Sequence, residues 1–495
     1  MRTSYREFVE AQVYRNPCLR GLADFLSRSP YSPSDNVPVH CLDFSLSHEG
    51  TTKVIEKTIR LDVCLSDISH SIRAPPEPPI RRIMCIEDIN PYTVERLGAI
   101  LEINPLFFAT NINTSFVGID KAPPPPVVAL FPSSFAAPDS LHLHYQRVIK
   151  VPTSSGRSQG PFVSQGPGNV SRNVRCLTTL SGTQPGLIRS CCSTLLKALN
   201  NQSWICLLLV DSTDAPLVMP SSSTTHDQNY GRSPQVPLQG GFEDFTEMQS
   251  YSEFCATAKY DNAPPKSSIL RSIFHYYRNL PPNFDPANPS IMALSYYPLK
   301  IVAAEWMIYV QLMSCYVKFY EYSFGSSERR STEADIVELQ RWRRRSKQSL
   351  HKLYLVEVFL AKHLGPQSTT PQIDNDLSSN PYATLREDYR YLSTQVEHYS
   401  RSLEFILPVA ATIVQLTESR RSITEAVNVR YLTYIALIFV PLTFASGLFS
   451  MQDGFLPGQG RFWIYIVVAV SLVIVVLALS LVTPIVHKRW KQVLQ

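Results

Sequence analysis

The sequence predicts an α+β membrane protein: a large cytosolic α/β domain, a long stalk helix, and a two-helix transmembrane hairpin at the C-terminal end. Three observations carry that prediction. Two long uncharged spans lie at 431–452 and 462–486, joined by a short loop. Short β-like runs alternate with turns and a helix between about 38 and 150, and a last strand returns at Trp204–Val210. Apolar residues then hold three- and four-residue steps from Leu385 to Val427, the spacing of one long helix. The expected division is 1–290 for the α/β domain, 291–430 for a helical region ending in the stalk, and 431–495 for the hairpin and a basic tail.

The hairpin organises the rest. The first span, YLTYIALIFVPLTFASGLFSMQ, has no formal charge over 22 residues, enough for a helix to cross about 30 Å of hydrocarbon. The loop DGFLPGQGR follows, and FWIYIVVAVSLVIVVLALSLVTPIV forms the second span. Arg420, Arg421 and Arg430 precede the first span, and His487, Lys488, Arg489 and Lys491 follow the second. The loop holds only Asp453 and Arg461. The excess of Lys and Arg places both termini in the cytosol. Trp463, Tyr465 and Trp490 stand where interfacial aromatics belong.

The N-terminal half reads as α/β. β-like runs are VHCLDFSL (38–45), KTIRLDVCL (57–65) and LHLHYQRVI (141–149), with a last strand at Trp204–Val210. Between them Tyr92–Ile103 reads as a helix, with Val94, Leu97 and Leu101 on one face. The stretches 153–185 and 212–245 are rich in Ser, Gly, Pro, Thr and Gln without an apolar period, and read as disordered insertions. The 38 prolines against 19 glycines agree with long irregular connections. Ten cysteines, none in a CxxC pair, read as free thiols in a reducing compartment. The sequons at Asn113, Asn169 and Asn201 face the cytosol on this topology and are expected to be unused. No secretory leader is expected at the N-terminus, where Glu7, Glu10 and Asp24 also oppose a mitochondrial transit peptide.

The helical region has three parts. Ala293–Tyr322 places Leu299, Val302, Trp306, Val310, Met313 and Val317 at helical spacing, and Lys300, Glu305 and Lys318 make it a core helix rather than a span. Thr332–Leu364 is a second helix, whose basic run RWRRRSK (341–347) reads as a solvated face. Gly365–Asn380 is a loop. The stalk begins near Tyr382, and a helix from 382 to 451 would be about 100 Å long. Pro408 is expected to bend or break it.

The first span is similar to the first membrane helix of the CorA-type magnesium channels. The residues that carry the resemblance are Asn428, Leu432, Thr433, Phe439, Pro441, Leu442, Thr443, Phe444, Gly447 and Phe449, running into Ser450-Met451-Gln452. Cys85–Phe108 resembles N-domain sequence of divergent fungal CorA-like proteins. The family signature is Gly-Met-Asn, so Ser450 replaces its Gly and Gln452 its Asn, while Met451 is kept. The resemblance implies a homo-oligomer, a pentamer, whose pore mouth is ringed by side-chain amides that hydrogen-bond Mg²⁺ through its retained water shell. That suits an ion that dehydrates reluctantly. It places Gln452 and Met451 at the mouth and Thr443 in the throat, with Val429, Leu432, Ala436, Val440 and Gly447 along the pore. These residues share one helical stripe, apolar but for Thr443, which would gate by dewetting. The same stripe would also serve helix packing, with Ala436 and Gly447 as close-approach positions. Glu87 and Asp88 are candidates for a regulatory divalent-ion sensor; their plainer reading is an acidic pair at a helix N-terminus.

Other classes are excluded by what the sequence lacks. There is no Walker loop, HExxH or GxSxG, and the eleven His are dispersed. The formal net charge of +5 over 495 residues leaves no nucleic-acid footprint. No enzyme and no bound cofactor is expected, with Mg²⁺ as the ion transported and sensed. The expected partners are a second copy of the chain, membrane lipid and a divalent cation. The expected location is the plasma membrane, with the mitochondrial inner membrane second. The alternative function is a non-conducting membrane-anchored scaffold whose cytosolic domain binds protein.

Overall fold

A computed structural model describes residues 4–27, 37–46, 52–73, 79–112, 131, 139–151, 162–166, 170–213, 215–218, 235–245, 250–257, 266, 268–325, 333–364, 380–450 and 460–493. The chain forms two compact units, one of residues 1–322 and 339–404 and the other of 323–338 and 405–495. The helical stretch that the sequence sets apart from 291 therefore contributes its core to the first unit rather than standing as a separate domain.

A ten-stranded sheet organises the first unit. Its strands are β1 (Pro38–Leu46), β2 (Thr52–Arg60), β3 (Arg81–Glu87), β4 (Ser140–Val151), β5 (Phe162–Gln165), β6 (Ser171–Cys176), β7 (Gln184–Ala198), β8 (Trp204–Val210), β9 (Leu217–Val218) and β10 (Val236–Pro237). The order along its main path is β2-β1-β3-β8-β7-β6-β5-β9, with β4 pairing both β7 and β10. All pairs are antiparallel except β3 with β8. WICLLLV of β8 is buried at every position, as expected of a central strand covered on both faces. β7 pairs β4 along one edge and both β6 and β8 along the other, so it is the branch point of the sheet.

One face is covered by α1 (Tyr5–Val13), α2 (Arg20–Ser27), α3 (Leu61–Arg73), α4 (Pro91–Leu101) and α5 (Pro105–Ile112), which pack on Val39, Cys41, Met84, Ile86, Ile205, Leu207 and Leu209. α4 starts where Asn90 caps it, its side chain accepting from Thr93 N at 2.7 Å. Val94, Leu97 and Leu101 are buried as their spacing requires. The expected strand 57–65 ends at Arg60. Leu61, Cys64, Leu65 and Ile68 then repeat at three- and four-residue steps and are fully buried, so the period changes inside that run and α3 begins.

α6 (Tyr251–Thr257), α7 (Ile269–Tyr277), α8 (Ile291–Gly325), α9 (Glu333–Leu364) and α10 (Pro381–Phe449) follow. Leu299, Val302, Trp306, Val310, Met313 and Val317 of α8 are all buried. Tyrosines tie these helices together through backbone carbonyls: Tyr389 Oη donates to Leu299 O at 2.9 Å and Tyr382 Oη to Pro282 O at 2.6 Å. In the basic run of α9, Trp342 and Ser346 point inward, whereas Arg343 and Lys347 reach Glu404 at 3.4 and 3.1 Å on the exposed side.

Two further sequence expectations are corrected. β5 and β6 lie inside 153–185, and β9 and β10 inside 212–245, so these polar stretches contain paired strands. Val174 and Leu217 bury in a small core with Ile149, Val151 and Ile188, against which Phe162 and Cys176 also pack. Pro408 does not break its helix: α10 continues from Pro381 to Phe449 through both Pro408 and Pro441. A proline costs one backbone bond within a helix of 69 residues, which the turns on either side outweigh. The loop expected at 365–380 lies outside the described residues except for Asn380.

In the second unit, the apolar part of α10 and the helix α11 (Phe462–Val493) are each long and apolar enough to cross a membrane.

Candidate conduction path and acidic cluster

The apolar segment of α10 buries little. Pro441 and Ala445 are its buried residues, and Ala469 is the buried residue of α11 between Phe462 and Ser480. Near the end of the hairpin the rings of Phe449 and Tyr465 meet edge to face at 5.7 Å. Small side chains at the buried points allow helix backbones to approach in lipid.

The stripe singled out from sequence lies on the other side. Val429, Leu432 and Val440 are 62%, 67% and 64% exposed, and Ala436, Thr443 and Gly447 are exposed with them. At about 100° per residue, the centre of this stripe is roughly 160° around α10 from the face of Pro441 and Ala445. Exposure is shared by most of this segment, Phe439, Phe444 and Leu448 among them, so helix spacing rather than exposure sets these six residues together on one side. The Thr443 hydroxyl donates to its own helix, to Phe439 O at 2.5 Å and Val440 O at 3.1 Å. It therefore presents an acceptor to anything facing it. A Cβ added at Gly447 would meet no atom within 4 Å. Gln452 and Met451 lie outside the described residues; Ser450 closes α10, its N–H donating to Ser446 O at 2.9 Å.

Glu87 ends β3 and Asp88 follows it, both ahead of the Asn90 cap, and so they do not form a helix-terminal pair. Asp88 adopts φ 53° and is turned inward, 7% exposed. Its Oδ1 accepts from Ser212 N at 3.2 Å, and a Cβ on Gly166 would collide with its Oδ2. Burial raises its pKa to about 6, with neighbouring Asp211 adding to the rise and Arg172 and the Ser212 amide opposing it. Asp211 is itself engaged: Oδ1 accepts from Arg172 at 2.6 Å and Oδ2 from Cys191 N at 2.8 Å. Arg172 also donates to Asn111 O at 3.0 Å. What surrounds Asp88 is a buried polar joint linking β3, β6, β7 and the chain after β8. Among the described residues, no three His, Cys, Asp or Glu side chains converge as a metal site.

Sequence reading passed over the buried ion pairs. Arg82 grips Asp43 with Nε at 2.6 Å and Nη2 at 3.1 Å, while Arg172 takes Asp211. The available signal was a single arginine at a core position of an apolar strand, Arg82 in RRIMCIE, which demands a buried carboxylate.

Two helices with charge-free, exposed apolar segments define the class: an integral membrane protein. Residues 350–488 match the family described as CorA-like Mg2+ transporter protein. The likeness covers this helical segment, from the second half of α9 through α10 into α11. Among solved structures it is similar to the complete CorA magnesium transporter of Methanocaldococcus jannaschii, at 10% identity and a TM-score of 0.35, covering 89% of this chain and 96% of that one. It is similar also to the full-length CmaX protein, at 12% identity and a TM-score of 0.36, covering 90% of this chain and 98% of that one. No curated protein matches the chain.

Proposed function

We propose that this chain is the subunit of a homo-oligomeric, CorA-type pore that passes a hydrated divalent cation, Mg²⁺, across the membrane. The observation that carries the reading is the stripe of Val429, Leu432, Ala436, Val440, Thr443 and Gly447, which helix spacing sets on the side of α10 opposite the buried Pro441 and Ala445. An apolar stripe beside a hairpin contact is what several copies need to line a shared axis. Thr443 interrupts it with an acceptor suited to a water of hydration. Gln452 and Met451 form the mouth, where primary amides hold the water shell of Mg²⁺ without stripping it. The flanking Lys and Arg residues place both termini in the cytosol, and the plasma membrane is the proposed location. Pentameric assembly is part of this proposal.

A second reading is favoured by Ser450 and Gln452, which depart from the Gly-Met-Asn signature: a ring that keeps the architecture and anchors a protein-binding domain without conducting. Mg²⁺ entry into proteoliposomes, reported by a trapped dye, separates the two. Gln452→Ala is expected to reduce entry and Gln452→Asn to preserve or raise it. Absence of entry from an intact oligomer, even after Ser450→Gly with Gln452→Asn, would establish the scaffold instead.

A further inference from the structure

Two cation-bearing surfaces face each other where α9 lies against the sheet. Arg175 of β6 pairs with Leu187 of β7, and the two-residue alternation of a strand sets Arg189 on the same side as Leu187. Arg175 and Arg189 are thus diagonal neighbours, roughly 7 Å apart at Cβ. Arg345, Gln348 and Lys352 share one side of α9 by their three- and four-residue steps. The two surfaces meet directly: Arg189 Nη2 donates to Gln348 Oε1 at 3.3 Å. Arg345, one turn before Gln348, lays its guanidinium 5.0 Å from the centre of the buried Trp342 ring, which holds its orientation. Arg189, Arg345 and Lys352 are half-buried and Arg175 is exposed.

What these cations lack is a matching set of carboxylates. The neutral amide of Gln348 is the acceptor that Arg189 finds among the described residues, and Lys352 has neither a hydrogen bond nor an ion pair there. Burial pushes the Arg189 guanidinium down, and the charges of Arg175 and Arg345 add to the push. Burial also lowers the Lys352 ammonium to about 8, with Arg189 and Arg172 adding to the fall and Cys191 opposing it. Glu338 shares this side of α9 two turns before Arg345, and it is not among the charges that act on Arg189 or Lys352. The buried arginines of the same unit are arranged otherwise, Arg82 on Asp43 and Arg172 on Asp211. Half-burying two cations beside further cations is costly, and an anion seated between strand and helix would offset that cost.

We propose that Arg175, Arg189, Arg345 and Lys352 bind one compact polyphosphate anion between α9 and the β6–β7 pair, either the diphosphate of a soluble ligand or the phosphorylated headgroup of a lipid. A guanidinium offers two parallel N–H donors that match phosphate oxygens, and an ammonium adds a point charge. A doubly phosphorylated group offsets several of these cations at once, as a single carboxylate does not. Arg345 and Lys352 are seven residues apart, about 10 Å of helix, a span that suits one compact polyanion rather than a nucleic-acid strand contacted at many phosphates. The site lies apart from the α10 stripe and does not rest on ion conduction.

The test is calorimetric titration of the full chain in detergent with inorganic pyrophosphate, with EDTA present to remove divalent cations. One pyrophosphate per chain is expected, bound more weakly as salt rises. Arg189→Gln and Lys352→Gln should each weaken binding by on the order of 10-fold. Arg343→Gln, on the Glu404 side of α9, should leave it unchanged. Lys352→Met gives a readout of the unliganded protein: removing a half-buried charge from among cations should raise the melting temperature without pyrophosphate and shrink the further rise that pyrophosphate gives. Short-chain phosphatidylinositol bisphosphate and its soluble inositol headgroup, titrated in the same detergent, separate the two sources. Tighter binding of the lipid supports the site with a membrane ligand, and equal binding supports it with a soluble one. No binding of any of the three probes, wild-type affinity in Arg189→Gln and Lys352→Gln, or equal weakening by Arg343→Gln would each overturn the proposal. So would a lower melting temperature for unliganded Lys352→Met, which would mean that the Lys352 charge is already compensated.

Discussion

Glu305 sits in the middle of α8 at 3% exposure, a carboxyl group inside a helix whose neighbours are apolar or aromatic. Burial raises its pKa to about 7, with the Arg147 guanidinium pulling the other way. The unfolded chain loses this proton near pH 4.5 and the folded chain near pH 7. Between those values the native state binds more protons, and stability falls as pH rises. The loss amounts to roughly 3 kcal/mol at most, from about 1.4 kcal/mol for each pH unit of the window. Glu305→Gln keeps the shape of the protonated acid. It should remove this part of the pH dependence and raise thermal stability at pH 8 relative to wild type, leaving pH 4.5 nearly unchanged. Equal slopes for the two proteins across pH 4.5–7.5 would show that Glu305 ionises freely. Arg172 illustrates the opposite arrangement. It is buried but paired with Asp211 and Asn111, so its charge is compensated where Glu305 relies on neutralisation.

Helices and strands differ in how clearly the sequence announced them. β8 was legible to the residue, because seven consecutive apolar residues in a short run leave a buried central strand as the consistent reading. α8 was legible for a related reason: six named positions at helical spacing are all buried. α3 was hidden because Leu61 and Leu65 also satisfy strand alternation, and no Gly or Pro marks the change at Arg60. β5 and β6 were hidden because each offers few apolar side chains and takes its place from pairing, as in Phe162↔Val174 and Val174↔Ile188. That pairing is a long-range property which local composition does not encode. In the membrane hairpin, Ala445 and Ala469 are buried at 2% and 3% amid exposed neighbours. Ala469→Leu should force α10 and α11 apart and lower the melting temperature in detergent, with overpacking costing about 1–3 kcal/mol. Gly447→Ala, which meets nothing within the protomer, should leave it unchanged. An Ala469→Leu protein as stable as wild type would argue against close packing at this point.

At the scale of the whole molecule, the pieces are a sheet domain with a neutralised polar interior and a hairpin whose polar face is nearly absent. That six residues share a side of α10 could be read from their three- and four-residue steps, while their place along a pore belongs to the proposal. The pairing of that side with the opposite small-residue face could not be read, because Ala445 and Ala469 carry no signal of their own in an apolar run. The acidic pair Glu87–Asp88 was visible as chemistry but not as geometry. What decides its surroundings is the meeting of β3 with the end of β8, more than a hundred residues away, where Asp88 N donates to Val210 O at 3.0 Å. If copies of the chain line a water-filled axis with the α10 stripe, its apolar character sets the barrier to entry of a hydrated ion.

That is the claim to test first, by Mg²⁺ entry into proteoliposomes with Val440→Asn beside wild type. A polar side chain at Val440 should wet the constriction and raise the entry rate by on the order of 10-fold, with the oligomer unchanged in size. Entry rates equal to wild type for Val440→Asn, in a ring of intact mass, would contradict the assignment of this face of α10 to a conducting pore.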